Sequence, residues 1–352
     1  QRVLAVDRQG DMSSANALDF MGHRPTGRGD NGAPARRRQR SGNIDSTALD
    51  AAGFQRRQYL KHSRCFRIAC GHAMTCLNFR FGGRHDGYAV SMNDSNDKTP
   101  EILPRDDGGT IAYRRLDGKS PGVMFLSGFM SDMQGTKTLE VERYCRAAGR
   151  AFVRFDYQGH GESSGDFADG TIGAWAKDAI AVLDECTEGP QVLIGSSMGG
   201  WIMLLTALAR PDRVAGLIGI AAAPDFTEDL MWDRFDHERR RVLERSGVYY
   251  EPSEYGDEPY TITRDLIEDG RSHLLLRRPI ALHCPVRLLH GMRDDSVPWM
   301  TTSRIAEKIL SEDVRIFLVK DGDHRLSRDQ DIARLKVTLD DLLGELGDMG
   351  EI

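Results

Sequence analysis

Hydrophobic and polar positions follow two different patterns along this 352-residue chain. Over residues 1 to about 100, apolar side chains are scattered without period among Gly, Arg, Asn, Ser and Asp, which is typical of a segment that does not fold. From about Glu101 onward, short apolar runs alternate with stretches of helical period. The pattern predicts a disordered N-terminal extension over residues 1–100 and one folded domain over 101–347.

The apolar runs of the folded part predict seven strands of an α/β domain. These strands are expected at 110–114, 123–126, 151–155, 191–194, 214–221, 286–290 and 314–319. Helical stretches at 137–148, 172–185 and 202–208 lie between them, so we expect a mainly parallel central sheet flanked by helices. Between about 223 and 280 the alternation lapses into charged helical residues and a Pro/Tyr/Gly-rich stretch. That interval predicts a small helical cap inserted into the domain.

Composition excludes several classes of partner. A net charge of -6 and a pI near 6.0 give no basic field for nucleic acid or an anionic membrane surface, and no apolar run of about 18 residues is present to span a bilayer. The six cysteines do not form the dense framework of a small secreted domain. We therefore expect an intracellular protein, cytoplasmic in a bacterial source or mitochondrial in a eukaryotic one, with a small neutral substrate and without metal or cofactor.

The first hundred residues carry two further signals. The basic run at 35–40 is compatible with a mitochondrial transit peptide, but six aspartates before residue 51 argue against one, and Met92 is a candidate translation start. A group of potential zinc ligands also occurs there, with spacings that match no paired Cys-x-x-Cys template: His62, Cys65, Cys70, His72 and Cys76. We interpret this group as coincidental.

A Gly-x-Ser-x-Gly sequence provides the strongest chemical signal. Ser197 lies between Gly195 and Gly199, directly after a predicted buried strand and before a predicted helix. A sharp turn between strand and helix forces the serine into a strained conformation that exposes its hydroxyl, and it requires glycine on either side. The helix start supplies free N–H groups for an oxyanion. This context predicts the nucleophile elbow that is typical of the α/β-hydrolase fold.

A carboxylate and a histidine follow in the chain order that such a fold requires. Asp294 follows the predicted strand 286–290 in a Gly-x-x-Asp-x-x-Val-Pro sequence, and His324 follows the predicted strand 314–319. We predict that His324 accepts the proton of Ser197 and that Asp294 fixes the imidazole, with Asp295 as the rival acid. The other histidines of this part flank a strand, lie in a turn or fall in the cap: His160, His237, His273, His283 and His290.

Two backbone N–H groups are needed to stabilise a tetrahedral intermediate. Met198, next to the nucleophile, is one predicted donor, and Phe129 after Gly128 is the other, with a simple core aromatic as the alternative interpretation of Phe129. The stretch 156–163 has the form Asp-x-x-Gly-x-Gly-x-Ser, which does not match the dinucleotide-binding spacing, and we interpret it as a structural loop at the edge of the site.

Longer strings narrow the resemblance. The sequence segments at 120–130, 133–137, 154–159, 195–201, 284–292, 294–299 and 323–325 together resemble the mitochondrial palmitoyl-protein thioesterase family of abhydrolase-domain type ten and its bacterial relatives. The resemblance extends from about Leu103 to Leu346. It implies hydrolysis of acyl thioesters on protein cysteines and of acyl-glucuronide esters, without a cofactor, by a triad of Ser197, Asp294 and His324. It also implies that the substrate is an acylated protein or a small acyl ester.

The cap segment 226–235 contains apolar side chains that either line an acyl channel or pack on the main domain: Phe226, Leu230, Met231, Trp232 and Phe235. The leading hypothesis is a serine hydrolase of esters or thioesters that works through an acyl-serine intermediate. Two alternatives stay open, a transacylase or peptidase on the same triad and a ligand-binding protein that has lost turnover. Neither acyl chain length nor oligomeric state follows from the sequence.

Overall fold

The computed structural model describes residues 99–251 and 259–347. The predictions for the N-terminal extension, including Met92 and the cysteine and histidine group at 62–76, lie outside the described residues. No helix in these ranges has the length and hydropathy needed to cross a membrane.

One eight-stranded sheet organises the described domain. Its strands are β1 Glu101–Pro104, β2 Thr110–Leu116, β3 Lys119–Leu126, β4 Arg150–Phe155, β5 Gln191–Ser196, β6 Val214–Ile220, β9 Val286–Gly291 and β10 Val314–Val319. They lie in the order β1-β2-β4-β3-β5-β6-β9-β10, with parallel pairing from β4 to β10 and antiparallel pairing of β1 and β2 at one edge. The prediction of a mainly parallel sheet is confirmed.

Helices cover both faces of this sheet. They are α1 Thr136–Ala147, α2 Ile172–Cys186, α3 Met198–Ala209, α6 Met300–Lys308 and α7 Asp329–Leu346. Alternate residues of β3 belong to different apolar cores, since Val123 and Phe125 join side chains of α1 and α7, whereas Met124 and Leu126 join those of α2 and α3. Because both faces of the sheet are buried, the central strands are continuous apolar runs in the sequence and do not alternate between apolar and polar residues.

The chain between β6 and β9 forms the inserted cap. It contains short π and 3-10 turns over 227–234, helix α4 His237–Ser246, the hairpin of β7 Val248–Glu251 and β8 Tyr260–Thr263, and helix α5 Arg264–Ser272. The cap is therefore not purely helical, contrary to the predicted helical insertion. The strand-favouring run Val248-Tyr249-Tyr250 belongs to a strand of only four residues, too short to show a period in the sequence.

Asp225, near the start of the cap, forms hydrogen bonds to residues near the end of the cap. It lies five residues after the end of β6, is fully buried, and accepts hydrogen bonds from the backbone N–H groups of Leu275 at 2.7 Å and Leu276 at 2.9 Å. Arg277 adds an ion pair at 3.0 Å. Both ends are therefore fixed to the same point of the main domain, beside the carboxyl ends of the parallel strands.

Candidate active site

The turn between β5 and α3 holds Ser197 in a conformation that is rare for a residue with a side chain. Its φ is 56° and its ψ is -119°. A Cβ atom on Gly195 would lie 2.4 Å from the Gly199 carbonyl oxygen, and one on Gly199 would lie 2.1 Å from the Leu126 carbonyl oxygen. Both glycines are thus required by close backbone approach, as the sequence pattern predicts.

Three side chains from separate strand ends form one chain of hydrogen bonds. His324 Nε2 lies 3.0 Å from Ser197 Oγ, and His324 Nδ1 lies 2.7 Å from Asp294 Oδ2. Asp294 is fully buried, whereas the His324 side chain is 18% exposed. Because Nδ1 faces a carboxylate, it carries the proton, which leaves the lone pair of Nε2 for the serine hydroxyl. The structure brings the three predicted residues together and leaves the rival, Asp295, exposed.

The Asp294 carboxylate is surrounded by donors. Its Oδ1 accepts the backbone N–H groups of Ser296 at 2.9 Å and Val297 at 2.8 Å, and its Oδ2 accepts from His290 Nε2 at 3.0 Å as well as from His324. Burial of the carboxyl opposes its ionisation, but hydrogen bonds from His290 and His324 outweigh burial and hold the pKa of Asp294 well below its usual range. The aspartate is therefore present as the carboxylate at neutral pH.

His290 is a functional-site residue that the sequence interpretation missed. It lies at the end of β9, is fully buried, and contacts the same Asp294 oxygen as His324 does. Its position four residues before Asp294 in the His-Gly-x-x-Asp string is the only sequence signal of this contact. The sequence interpretation, which placed His290 beside a strand, did not include this contact with Asp294.

The loop after β3 approaches the nucleophile closely. A Cβ atom on Gly128 would lie 3.4 Å from the Cβ of Ser197, so this position borders the elbow. Phe129 follows, and Met198 is the first residue of α3, where a backbone N–H has no partner four residues earlier. In the turns and loops of the described residues, the N–H groups of Phe129 and Met198 do not donate to a backbone carbonyl. Met198 is adjacent to Ser197 in the chain, and Phe129 follows the glycine that borders the elbow.

The loop 156–163 is hydrogen-bonded to the loop after β3. Asp156 accepts hydrogen bonds from the backbone N–H groups of Met133 at 2.6 Å and Glu162 at 2.8 Å, and Arg154 donates to the Met133 carbonyl at 3.0 Å. A Cβ atom on Gly161, whose φ is 48°, would lie 2.1 Å from the Asp156 carboxylate. Its glycines thus serve backbone packing, in keeping with the structural interpretation of this motif.

The apolar cap residues named from the sequence separate into two groups. Phe226 packs between Phe129 and Trp201, with ring centroids 5.7 Å from each, and Leu230 borders the same core. Met231 borders both this core and the cap's own core. Trp232 instead stacks between two guanidinium groups, and Phe235 is buried in the cap's own core. Of these five residues, Phe226 contacts the loop that carries a predicted oxyanion donor.

A cavity of about 200 Å³ lies beside the loop after β3. Its lining includes Met130, Ser131, Asp132, His160 and Phe167. Burial lowers the pKa of His160 to about 4, so its imidazole is neutral at physiological pH. Within the described ranges, no group of three or more side chains is arranged to hold a metal ion.

Comparisons with known proteins agree with this geometry. A model of the α/β hydrolase family matches residues 123–335. The mitochondrial palmitoyl-protein thioesterase ABHD10 of Homo sapiens is 41% identical over 277 residues, which cover 75% of this chain and 90% of that protein. The solved structure of mouse α/β hydrolase domain-containing protein 10 matches with a TM-score of 0.67 and 43% identity, covering 71% of this chain and 100% of that one. A solved hydrolase from Agrobacterium vitis S4 matches with a TM-score of 0.66 and 40% identity, covering 68% and 96%.

Proposed function

The chain belongs to the α/β hydrolase family and hydrolyses ester or thioester bonds, and from this premise we propose that Ser197, Asp294 and His324 are its catalytic triad. The observation that carries the proposal is the continuous hydrogen-bonded chain from Ser197 Oγ through both nitrogens of His324 to Asp294. A buried, ionised carboxylate at one end and a strained, half-buried serine at the other are the requirements of nucleophilic acyl transfer.

The reaction proceeds in two halves. Ser197 Oγ attacks the carbonyl carbon of the substrate while His324 Nε2 takes the hydroxyl proton, and Asp294 stabilises the imidazolium that forms. The N–H groups of Met198 and Phe129 stabilise the negative oxygen of the tetrahedral intermediate. As this collapses, His324 returns its proton to the leaving sulfur or oxygen, and an acyl-serine remains. Water then attacks the ester with His324 as general base, which releases the carboxylic acid and restores the serine.

We propose further that the substrate is a long-chain acyl thioester on a protein cysteine. The relatives with about 40% identity carry the name palmitoyl-protein thioesterase, and the contact of Phe226 with Phe129, the predicted oxyanion donor, supports an acyl site at the base of the cap. Phe235 and Trp232 are occupied within the cap and are not part of this site. The same relatives are named as mitochondrial, which supports an intracellular location.

A fluorophosphonate probe tests the nucleophile directly, because it reacts only with an activated serine. We expect labelling of the wild type and none of Ser197→Ala. Ser196→Ala is the matched control, since this neighbouring serine is the last residue of β5 and lies outside the hydrogen-bonded chain, and it should be labelled. A wild type that does not react, or a Ser197→Ala variant that does, would refute the triad.

Substrate class is tested with a panel of acyl chains. We expect kcat/KM for S-acyl-cysteine peptides to rise from acetyl to palmitoyl in the wild type, and Phe226→Ala to lower it about tenfold for palmitoyl but little for acetyl, because a lost aromatic contact costs the long chain about 1 to 2 kcal/mol. Val337→Ala, an exposed position on α7, serves as the control. Equal loss for both chains would contradict the acyl site, and transfer of the acyl group to an added amine or alcohol in preference to water would indicate a transacylase.

A further inference from the structure

His290 has an unusual set of neighbours for a buried histidine. Its Nε2 lies 3.0 Å from Asp294 Oδ2 and 3.1 Å from the Val297 carbonyl oxygen, and its Nδ1 lies 2.6 Å from the Thr302 hydroxyl on α6. Both Nε2 neighbours are acceptors only, so Nε2 must carry a proton in the neutral and in the charged imidazole alike. His290 is therefore a fixed donor to the Asp294 carboxylate, held from behind by the Thr302 hydroxyl.

This donor shares its acceptor with His324. Asp294 Oδ2 receives both imidazoles, at 3.0 Å from His290 and 2.7 Å from His324, whereas Oδ1 is occupied by two backbone N–H groups. When two donors share one carboxylate oxygen, each donor partly neutralises the negative charge, so the attraction of that oxygen for the other donor is weaker. His290 is well placed to weaken the attraction between Asp294 and a protonated His324 and to keep the carboxylate from rotating.

We propose that His290 is a positioning residue that sets the orientation of Asp294 and tunes how readily His324 gives up its proton. The inference rests on the proposed triad and deepens it, because it assigns a fourth side chain to the hydrogen-bonded chain. The low pKa of Asp294, to which the His290 hydrogen bond contributes, supports it. With His290 in place, the Asp294 oxygen divides its charge between two imidazoles, so it stabilises the imidazolium of His324 less than a carboxylate with one imidazole would.

Other charged groups also surround this pair and must stay constant in a test. The titratable and charged side chains on the neighbouring elements are Arg304, Glu307 and Lys308 on α6, Arg293 and Asp295 after β9, Asp323 and Arg325 beside His324, and Lys137 on α1, which donates to the Arg325 carbonyl at 2.6 Å. A substitution at His290 leaves all of them in the chain. A change in the pH profile between variants at this position thus isolates the His290 hydrogen bond.

The experiment compares the pH dependence of kcat/KM for a short aryl ester in three variants. His290→Leu removes the donor, His290→Gln keeps an N–H at a position close to that of Nε2, and His283→Leu makes the same change at an exposed histidine before the opposite end of β9. For His290→Leu we expect the acid limb to move upward by about 0.5 to 1 pH unit and kcat to fall about tenfold or more. We expect His290→Gln and His283→Leu to follow the wild-type profile.

A purely structural histidine would lower kcat without moving the acid limb. An unmoved limb in His290→Leu, or the same shift in the Leu and Gln variants, would therefore overturn the inference while leaving the triad intact. Absence of fluorophosphonate labelling in the wild type would instead overturn the triad itself. The two failures are thus distinguishable.

A measurement on the wild type covers the case in which His290→Leu does not fold. Long-range proton–nitrogen NMR reports which imidazole nitrogen is protonated, and we expect His290 Nε2 to remain protonated from about pH 5 to about pH 9. His290→Gln provides the assignment, because its spectrum lacks these signals. A deprotonated Nε2 at neutral pH would refute the role of His290 as a donor to Asp294.

Discussion

Strain at the nucleophile makes a quantitative prediction about stability. Ser197 adopts a φ of 56° because the surrounding backbone holds it there: its N–H donates to the Ile220 carbonyl at 2.9 Å, and its carbonyl accepts from Ala223 at 3.0 Å. Ser197→Ala and Ser197→Gly both remove the hydroxyl and its hydrogen bond to His324. They differ because alanine keeps the unfavourable Cβ, whereas glycine does not.

The size of the difference follows from two opposing effects. Relief of the strained conformation favours glycine by about 1 to 3 kcal/mol. The greater freedom of glycine in the unfolded chain opposes this by about 0.4 to 1 kcal/mol. We therefore expect Ser197→Gly to be the more stable of the two inactive variants by about 1 kcal/mol, which corresponds to about 2 to 4 °C in Tm for a domain of this size.

Urea unfolding and calorimetry of both variants measure this difference. The matched control is the same pair of changes at Ser196, the last residue of β5, whose φ is not positive. There glycine should be the less stable variant, because it gains freedom on unfolding and relieves no strain. If Ser197→Gly were no more stable than Ser197→Ala, the elbow would not store strain at the serine, and its geometry would need another explanation.

Three further outcomes are expected. Asp294→Asn should lower kcat about ten-thousandfold by disturbing the His tautomer, whereas the exposed Asp295→Asn should leave it unchanged; equal losses in ester-hydrolysis assays would contradict the choice of acid. Gly199→Ala should abolish activity and lower Tm, since its Cβ would meet a β3 backbone oxygen at 2.1 Å, whereas Gly344→Ala in α7 meets nothing within 4 Å and should not. Burial raises the pKa of Asp178 to about 6, so this carboxyl lowers the free energy of unfolding as pH rises from about 4 through about 6. The free energy of unfolding of Asp178→Asn, measured in urea, should therefore rise relative to that of the wild type over this pH range. A difference between the two proteins that does not change with pH would contradict this prediction.

Features that depend on neighbouring residues were predictable from the sequence. The elbow requires glycine two residues before and two residues after Ser197, and this requirement is local to the turn. Asp294 and His324 each follow a strand that forms a clear apolar run in the sequence. Because the carboxyl ends of parallel strands meet at one edge of a sheet, the sequence alone predicts that the three residues share one site.

Features that depend on distant packing were not predictable. The role of His290 needs Thr302 on α6 and the loop that carries Asp294, and no periodicity records such contacts. The cap segment from Phe226 to Phe235 is wound as π and 3-10 turns rather than as an α-helix. Its apolar side chains therefore do not share one face, and Phe235 packs within the cap instead of beside the main core.

The insertion of the cap between β6 and β9 has a consequence for which part of this fold can vary among related proteins. β6 and β9 are adjacent and parallel, and Asp225 holds the two ends of the cap segment together at its base. The cap can consequently be lengthened, shortened or exchanged without reordering a strand or displacing the nucleophile. The fold thus separates an invariant reaction chemistry from a replaceable recognition segment, and a chimaera that carries the cap of a relative should inherit the acyl preference of that relative.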